Sequence, residues 1–166
     1  VGTDRLVNAV AAYTRYKQAC IIIDFGTATT FDVVDAAGTY LGGVISPGLG
    51  VSLDALIARA AKLPKVEIKK PDSIMGTNTI AAIQAGTVYG YIGLVDGIVR
   101  RILDAHAGIQ FRIIATGGLA GLIGGESEFI ENVEPFLTLE GLRLIHERRN
   151  GVVDADLARS GQATAP

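Results

Sequence analysis

Cys20-Ile21-Ile22-Ile23-Asp24-Phe25-Gly26-Thr27-Ala28-Thr29-Thr30 is an apolar run that ends in a carboxylate, a glycine and three threonines. The unbroken apolar stretch predicts a strand buried on both faces, and Gly26 predicts a tight turn at its end. Such a turn suits phosphate. Gly26 lets the backbone approach without a Cβ, Thr27, Thr29 and Thr30 carry hydroxyls that donate to anionic oxygens, and Asp24 can hold a cation or its water shell. An ordinary β-hairpin uses the same residue types, so the pattern alone is only moderately specific.

Working outward, Thr29 to Asp35 and Tyr40 to Ser46 read as two further strands joined by Ala36-Ala37-Gly38, which makes an antiparallel meander. Upstream, Leu6, Val7, Val10 and Ala11 recur at helical spacing and Tyr13 and Tyr16 continue it. Asp4 and Arg5 therefore lie at a helix N-terminus, where Asp4 is a candidate cap. Downstream, Pro47-Gly48-Leu49-Gly50 ends the third strand, and Ser52 to Leu63 reads as a helix stopped by Pro64. Lys65 to Ser73 is a charged connection.

Gly76-Thr77-Asn78-Thr79 opens a long helix from Ile80 to His106. Its Gly86, Gly90, Gly93 and Gly97 each cost about 1 kcal/mol of helix propensity relative to Ala, yet small residues let another helix approach closely. Phe111 to Ala115 is a short buried strand running into Thr116-Gly117-Gly118, with a helix starting over Leu119 to Ile123. Val133 to Leu137 reads as one more strand and Thr138 to Arg149 as a final helix ended by Asn150-Gly151. Residues 1–150 thus form one α/β lobe with a mixed sheet rather than a doubly wound one, and 151–166 read as a disordered tail.

The chain has 166 residues, 49% hydrophobic and 19% charged, which fits one globular domain. Fifteen Lys and Arg against seventeen Asp and Glu leave a formal charge of -2, with no basic stripe for nucleic acid or an anionic membrane. The single Cys20, set among apolar residues, forms no internal disulfide and favours a reducing compartment. No charged-then-apolar leader and no apolar stretch near 20 residues stands out, so the expected location is the cytoplasm. Asp32 has no matched role and reads as structural or solvent-facing. His106 and His146 are isolated and read as solvated.

Five motifs stand in a fixed order: Gly2-Thr3-Asp4-Arg5, Asp24 to Thr30, Leu41-Gly42-Gly43 with Pro47-Gly48, Gly76-Thr77-Asn78-Thr79, and Thr116-Gly117-Gly118. In this order, from about Val1 to about Arg149, the chain resembles type III pantothenate kinase. The resemblance implies a ribonuclease H-like lobe of the actin, sugar kinase and Hsp70 superfamily, and within it the second of two lobes. It also implies ATP-dependent phosphorylation of pantothenate, the first step of coenzyme A synthesis. Asp4 would accept the proton of the substrate hydroxyl, and Gly2, Thr3, Asp4, Arg5 and Thr79 would bind pantothenate. Gly26, Thr27, Thr30, Thr116, Gly117 and Gly118 would bind ATP with its Mg2+, and Asp24 would hold a monovalent cation, K+ or NH4+. Arg5 carries a fixed fork of donors that suits a carboxylate or a phosphoryl oxygen. Helix capping by Asp4 and by Thr79 is the bland alternative for each.

The family is also homodimeric, and Ile80 to Val99 is the candidate dimer surface. Its first lobe carries a DxGNT phosphate motif that these 166 residues do not contain. The expectation is of a poor kinase as an isolated chain, or one half of a split enzyme served by a separate first-lobe chain. A non-catalytic regulatory or partner-binding protein of the same fold, like the Bvg accessory factors, is the alternative from another class.

Overall fold

A computed structural model describes residues 2–60 and 62–151. In chain order the elements are α1 (Thr3–Tyr16), β1 (Cys20–Phe25), β2 (Ala28–Val34), β3 (Tyr40–Pro47), α2 (Leu49–Arg59), α3 (Thr79–Ala105), β4 (Arg112–Gly117), α4 (Ala120–Gly124), β5 (Asn132–Val133) and α5 (Leu137–Arg149). The strands pair as one sheet in the order β3-β2-β1-β4-β5. β1 to β3 form the antiparallel meander, while β4 runs parallel to β1 and β5 parallel to β4. This is the ribonuclease H-like arrangement the motifs imply.

β1 is buried because it is central. Side chains alternate across a strand, so Ile21, Ile23 and Phe25 join Val88, Tyr91, Val95 and Val99 of α3 in one core. Cys20 and Ile22 face the other way, into a second core with Ala9, Ala11 and Ala12 of α1 and Leu137 of α5. Burial pushes the Cys20 thiol up to about 11, with smaller effects from Arg112 and Glu131, so it stays a neutral core group. α1 and α5 cross closely because Gly141 has no side chain: a Cβ there would lie 2.3 Å from the Val7 carbonyl oxygen.

Several boundaries differ from the sequence reading. α2 begins at Leu49 and ends at Arg59, ahead of Pro64, because Gly48 starts the helix and Ala60 turns to an extended backbone. The strand expected over Val133 to Leu137 is only Asn132–Val133. Its ladder closes with the Glu134 amide on the Ala115 carbonyl, and Pro135, which has no N–H to continue it, is followed by α5. α3 is 27 residues long with a mean hydropathy of 1.2 over its most apolar window, enough by length and composition to cross a membrane. That corrects the reading that no such stretch exists, but one face of α3 is taken up by the sheet. Asn150 ends α5 as expected. The tail expected from 151 onward lies, beyond Gly151, outside the described residues.

Candidate active site

The C-terminal end of β1 is where the motifs meet. Register pairs Asp24 with Thr30 on one side and Thr116 on the other, and Ile22 with Asp32. Asp24, Thr30, Asp32 and Thr116 therefore share the face of the sheet that α1 covers. The first turns of α1 add Asp4, Arg5 and Asn8. Gly2 is the N-cap, with no side-chain cap bond, so capping does not occupy Asp4, which stays exposed.

Asp24 is half-buried and held by Asn8, whose Nδ2 donates to Asp24 Oδ2 at 3.0 Å. Asn8 is itself buried and fixed by Thr138, whose hydroxyl donates to Asn8 Oδ1 at 2.7 Å. Burial raises the Asp24 carboxyl above its usual range; the Asn8 bond opposes this, while Asp32 and then Asp4 add to it. A cation beside Asp24 would relieve that strain on the ionised form.

Asp32 decides between the two readings left open for it. It is fully buried rather than solvent-facing, and its carboxylate accepts from Arg5 Nε at 2.7 Å, the Tyr40 hydroxyl at 2.7 Å and the Thr30 hydroxyl at 3.1 Å. Burial first, and then the Asp32 bond, pushes the Tyr40 phenol up to about 12, so it remains a donor.

The threonines of the turn divide their duties. Thr29 points into the core, where its hydroxyl is hydrogen-bonded to that of Tyr91 at 2.5 Å, and Thr30 is committed to Asp32. Thr27, at the tip, is exposed. The turn is closed by the Gly26 amide on the Ala28 carbonyl at 3.1 Å and braced by the Gly48 amide on the Thr27 carbonyl at 3.0 Å. A Cβ on Gly48 would lie 2.4 Å from Thr27 O and 2.5 Å from Gly26 O, so the Pro47-Gly48 motif is there to let β3 close on the turn.

At the end of β4, Gly117 has φ +92°, a conformation that favours glycine. It lies beside Phe25 in the register, and Gly118 next to it is exposed. The Thr116 hydroxyl is buried and donates to the Glu134 carbonyl at 2.8 Å. Thr79 lies elsewhere, in an apolar groove of about 810 Å³ between α2 and α3 bordered by Pro47, Leu53, Gly86 and Tyr91. Asn78 caps α3 by accepting from the Ala81 amide, so Thr79 is not needed as a cap. The groove and the Asp24 turn share the Pro47-Gly48 corner, where Tyr91 also donates to the Pro47 carbonyl at 3.0 Å.

Asn8, Asp32 and Tyr40 are site residues that the sequence reading missed. The available signal was Asp32 itself, a carboxylate two residues from Thr30 in an otherwise apolar strand. His106 is half-buried, with Nδ1 2.9 Å from the Ile102 carbonyl and its ring edge-on to Phe111.

Residues 1–101 match the sequence profile of type III pantothenate kinase. The chain belongs to that family. It is 59% identical over 148 residues to the type III pantothenate kinase of Anaeromyxobacter sp. (strain K), covering 89% of this chain and 58% of the relative. The enzyme of the same name from Koribacter versatilis is 56% identical over the same length, 54% of its own chain. The chain thus spans a little over half the length of these curated relatives. Among solved structures, a conserved Campylobacter jejuni protein described as a Baf family transcriptional activator superposes with a TM-score of 0.60 at 18% identity, covering 87% of this chain and 65% of that one. That likeness concerns the fold.

Proposed function

We infer that this type III pantothenate kinase chain supplies the acceptor and cation side of the kinase site, as the second lobe of an actin-like fold. The reaction is transfer of the terminal phosphoryl group of ATP to the hydroxyl of pantothenate, the first step of coenzyme A synthesis. The observation that carries the reading is the meeting of Asn8 and Asp4 with Asp24, and of Arg5 with the neighbouring Asp32, on one face of the sheet.

Among the described residues Asp4 has no hydrogen-bond partner, and it is exposed. It orients the pantothenate hydroxyl and takes its proton; a largely dissociative transfer asks mainly for that orientation. Arg5, anchored on Asp32, presents its guanidinium to an oxyanion. Thr27 and the Gly26 backbone border the phosphates of ATP, and the Gly117-Gly118 strand end borders its nucleoside. Thr79 reaches the acceptor from the groove beyond Pro47.

A monovalent cation fits Asp24. Asn8 takes Oδ2, while Oδ1 faces the space beside Gly117 that a Cβ would fill, and burial disfavours the unaccompanied carboxylate. Such a cation supplies charge for the incoming phosphates. Among the described residues no three His, Cys, Asp or Glu side chains converge as a metal cage, so Mg2+ would ride on the ATP phosphates, which it commonly does with several waters.

A second copy of the chain is the partner assigned to α3. Among the described residues, Gly86, Gly90 and Gly93 have nothing within 4 Å of a built Cβ, which leaves that helix open to close approach. Sedimentation finding only monomer at high concentration would count against the dimer. The kinase reading is tested by ADP release from ATP when the chain is supplied with a first lobe carrying the DxGNT motif. It should depend on pantothenate and run faster in KCl than in NaCl; release indifferent to pantothenate would refute it.

A further inference from the structure

We propose that Asp32 is the positioning residue of this site, holding Arg5 by its Nε so that the rest of the guanidinium meets an oxyanion of a bound substrate. The proposal rests on the kinase reading for the identity of the ligand, and on geometry for the rest. Asp32 is 0% exposed in the middle of β2, with Ile22 and Gly43 as cross-strand neighbours. Packing alone would favour an apolar residue at such a position. A buried ion pair is weak evidence of stabilisation, because desolvation offsets most of its attraction, so a carboxylate here calls for another role.

Its three donors come from three elements: Arg5 on α1, Thr30 on β2 and Tyr40 on β3. Together they fix Arg5. The guanidinium lies 6.0 Å from the centre of the Tyr40 ring. Its Nη2 rests against Gly43, where a Cβ would come within 2.4 Å. Yet among the described residues the buried Nη2 has no hydrogen-bond partner, and the Arg5 side chain keeps 16% exposure. Buried donors are almost always satisfied. An arginine held at Nε, with Nη2 shielded against Gly43 and donors left over, turns the part of its fork that stays exposed toward an external acceptor, either a carboxylate or a phosphoryl group. Leu41-Gly42-Gly43 gains a purpose as well: Gly43 leaves room for the Phe31 carbonyl, 2.0 Å from a Cβ built there, and beside it for the fork.

The test has a spectroscopic arm and a binding arm. In ¹⁵N NMR the Arg5 Nε–H resonance, identified by its loss in Arg5→Ala, should move and exchange faster with water in Asp32→Asn. Tyr40→Phe, which removes only a hydroxyl, should shift it less in the same direction and serves if Asp32→Asn fails to fold. In calorimetric titrations with pantothenate, its carboxylate-free alcohol panthenol, and ATP, Asp32→Asn should weaken one oxyanion-bearing ligand roughly tenfold. Panthenol should be unaffected if the carboxylate is the target, and ATP alone weakened if a phosphoryl oxygen is. The double variant Arg5→Ala/Asp32→Asn should bind no worse than Arg5→Ala. An unmoved Arg5 resonance, additive losses, or equal losses for all three ligands would overturn the proposal. Wild-type chain that binds neither pantothenate nor ATP would refute the kinase reading, while the resonance still decides whether Asp32 holds Arg5.

Discussion

Gly117 lies against Asp24: a Cβ at position 117 would sit 2.7 Å from Asp24 Oδ1 and 2.7 Å from both the amide nitrogen and the carbonyl oxygen of Phe25. The glycine is needed twice, for this approach and for its φ of +92°. Gly117→Ala should therefore cost about 1–3 kcal/mol of stability, the usual range for strain of this kind. Thermal unfolding in KCl and NaCl checks it. The variant should melt lower and lose any preference for potassium, whereas a wild-type profile would show that the contact is not a constraint.

Asp24 itself carries a stability cost. Burial raises its folded pKa, so the folded chain holds the proton more readily than the unfolded one, and stability falls as pH rises through the folded value. Asp24→Asn should melt higher than wild type at neutral pH and equally below the usual carboxylate range. Potassium should narrow the neutral-pH gap by stabilising wild type alone. A variant that is less stable at neutral pH would contradict this account of the site.

Tyr91 ties α3 to the Gly26 turn through Thr29 Oγ1 and the Pro47 carbonyl. Tyr91→Phe strands those partners, at a cost of about 1–3 kcal/mol. Urea unfolding should show a lower midpoint with an unchanged slope. A midpoint within error of wild type would remove the latch from the account.

Glu134 gives the opposite pH signature to Asp24. Burial works against its ionised form, but donation from Tyr16 and Arg15 prevails and holds its carboxyl below 4.5. Its contribution is present above pH 4.5 and lost as pH falls through the lowered value. Arg15 is 40% exposed, so solvent screens that half of the network, and Glu134→Gln should cost only about 1 kcal/mol above pH 5. The difference from wild type should vanish in more acid solution. Tyr16, pushed up to about 12 mainly by burial, remains a donor throughout.

The meander was legible because Gly26 and Gly38 punctuate three runs whose apolar residues needed burial, and the long helix because Asn78 caps a sustained apolar period. The site was legible only in part. Asp4, Arg5, Asp24 and Gly117 sit in short motifs, but Asp32 becomes part of the site through register, which pairs it with Ile22 and Gly43 and brings it under α1. Thr29 and Thr30 looked alike as hydroxyls, yet strand alternation sends one to Tyr91 and the other to Asp32. Asn8 gave no signal at all, since a polar residue on a helix declares its face only after the helix is docked.

The most direct test of the central claim is phosphorus NMR of the chain, supplied with a first lobe carrying the DxGNT motif, with ATP, Mg2+, K+ and pantothenate, run beside Asp4→Asn in the same mixture. The account predicts a phosphomonoester resonance of phosphopantothenate for the native chain and its loss in Asp4→Asn, with folding unchanged. Product formed equally by both, or ATP consumed to inorganic phosphate alone, would contradict it.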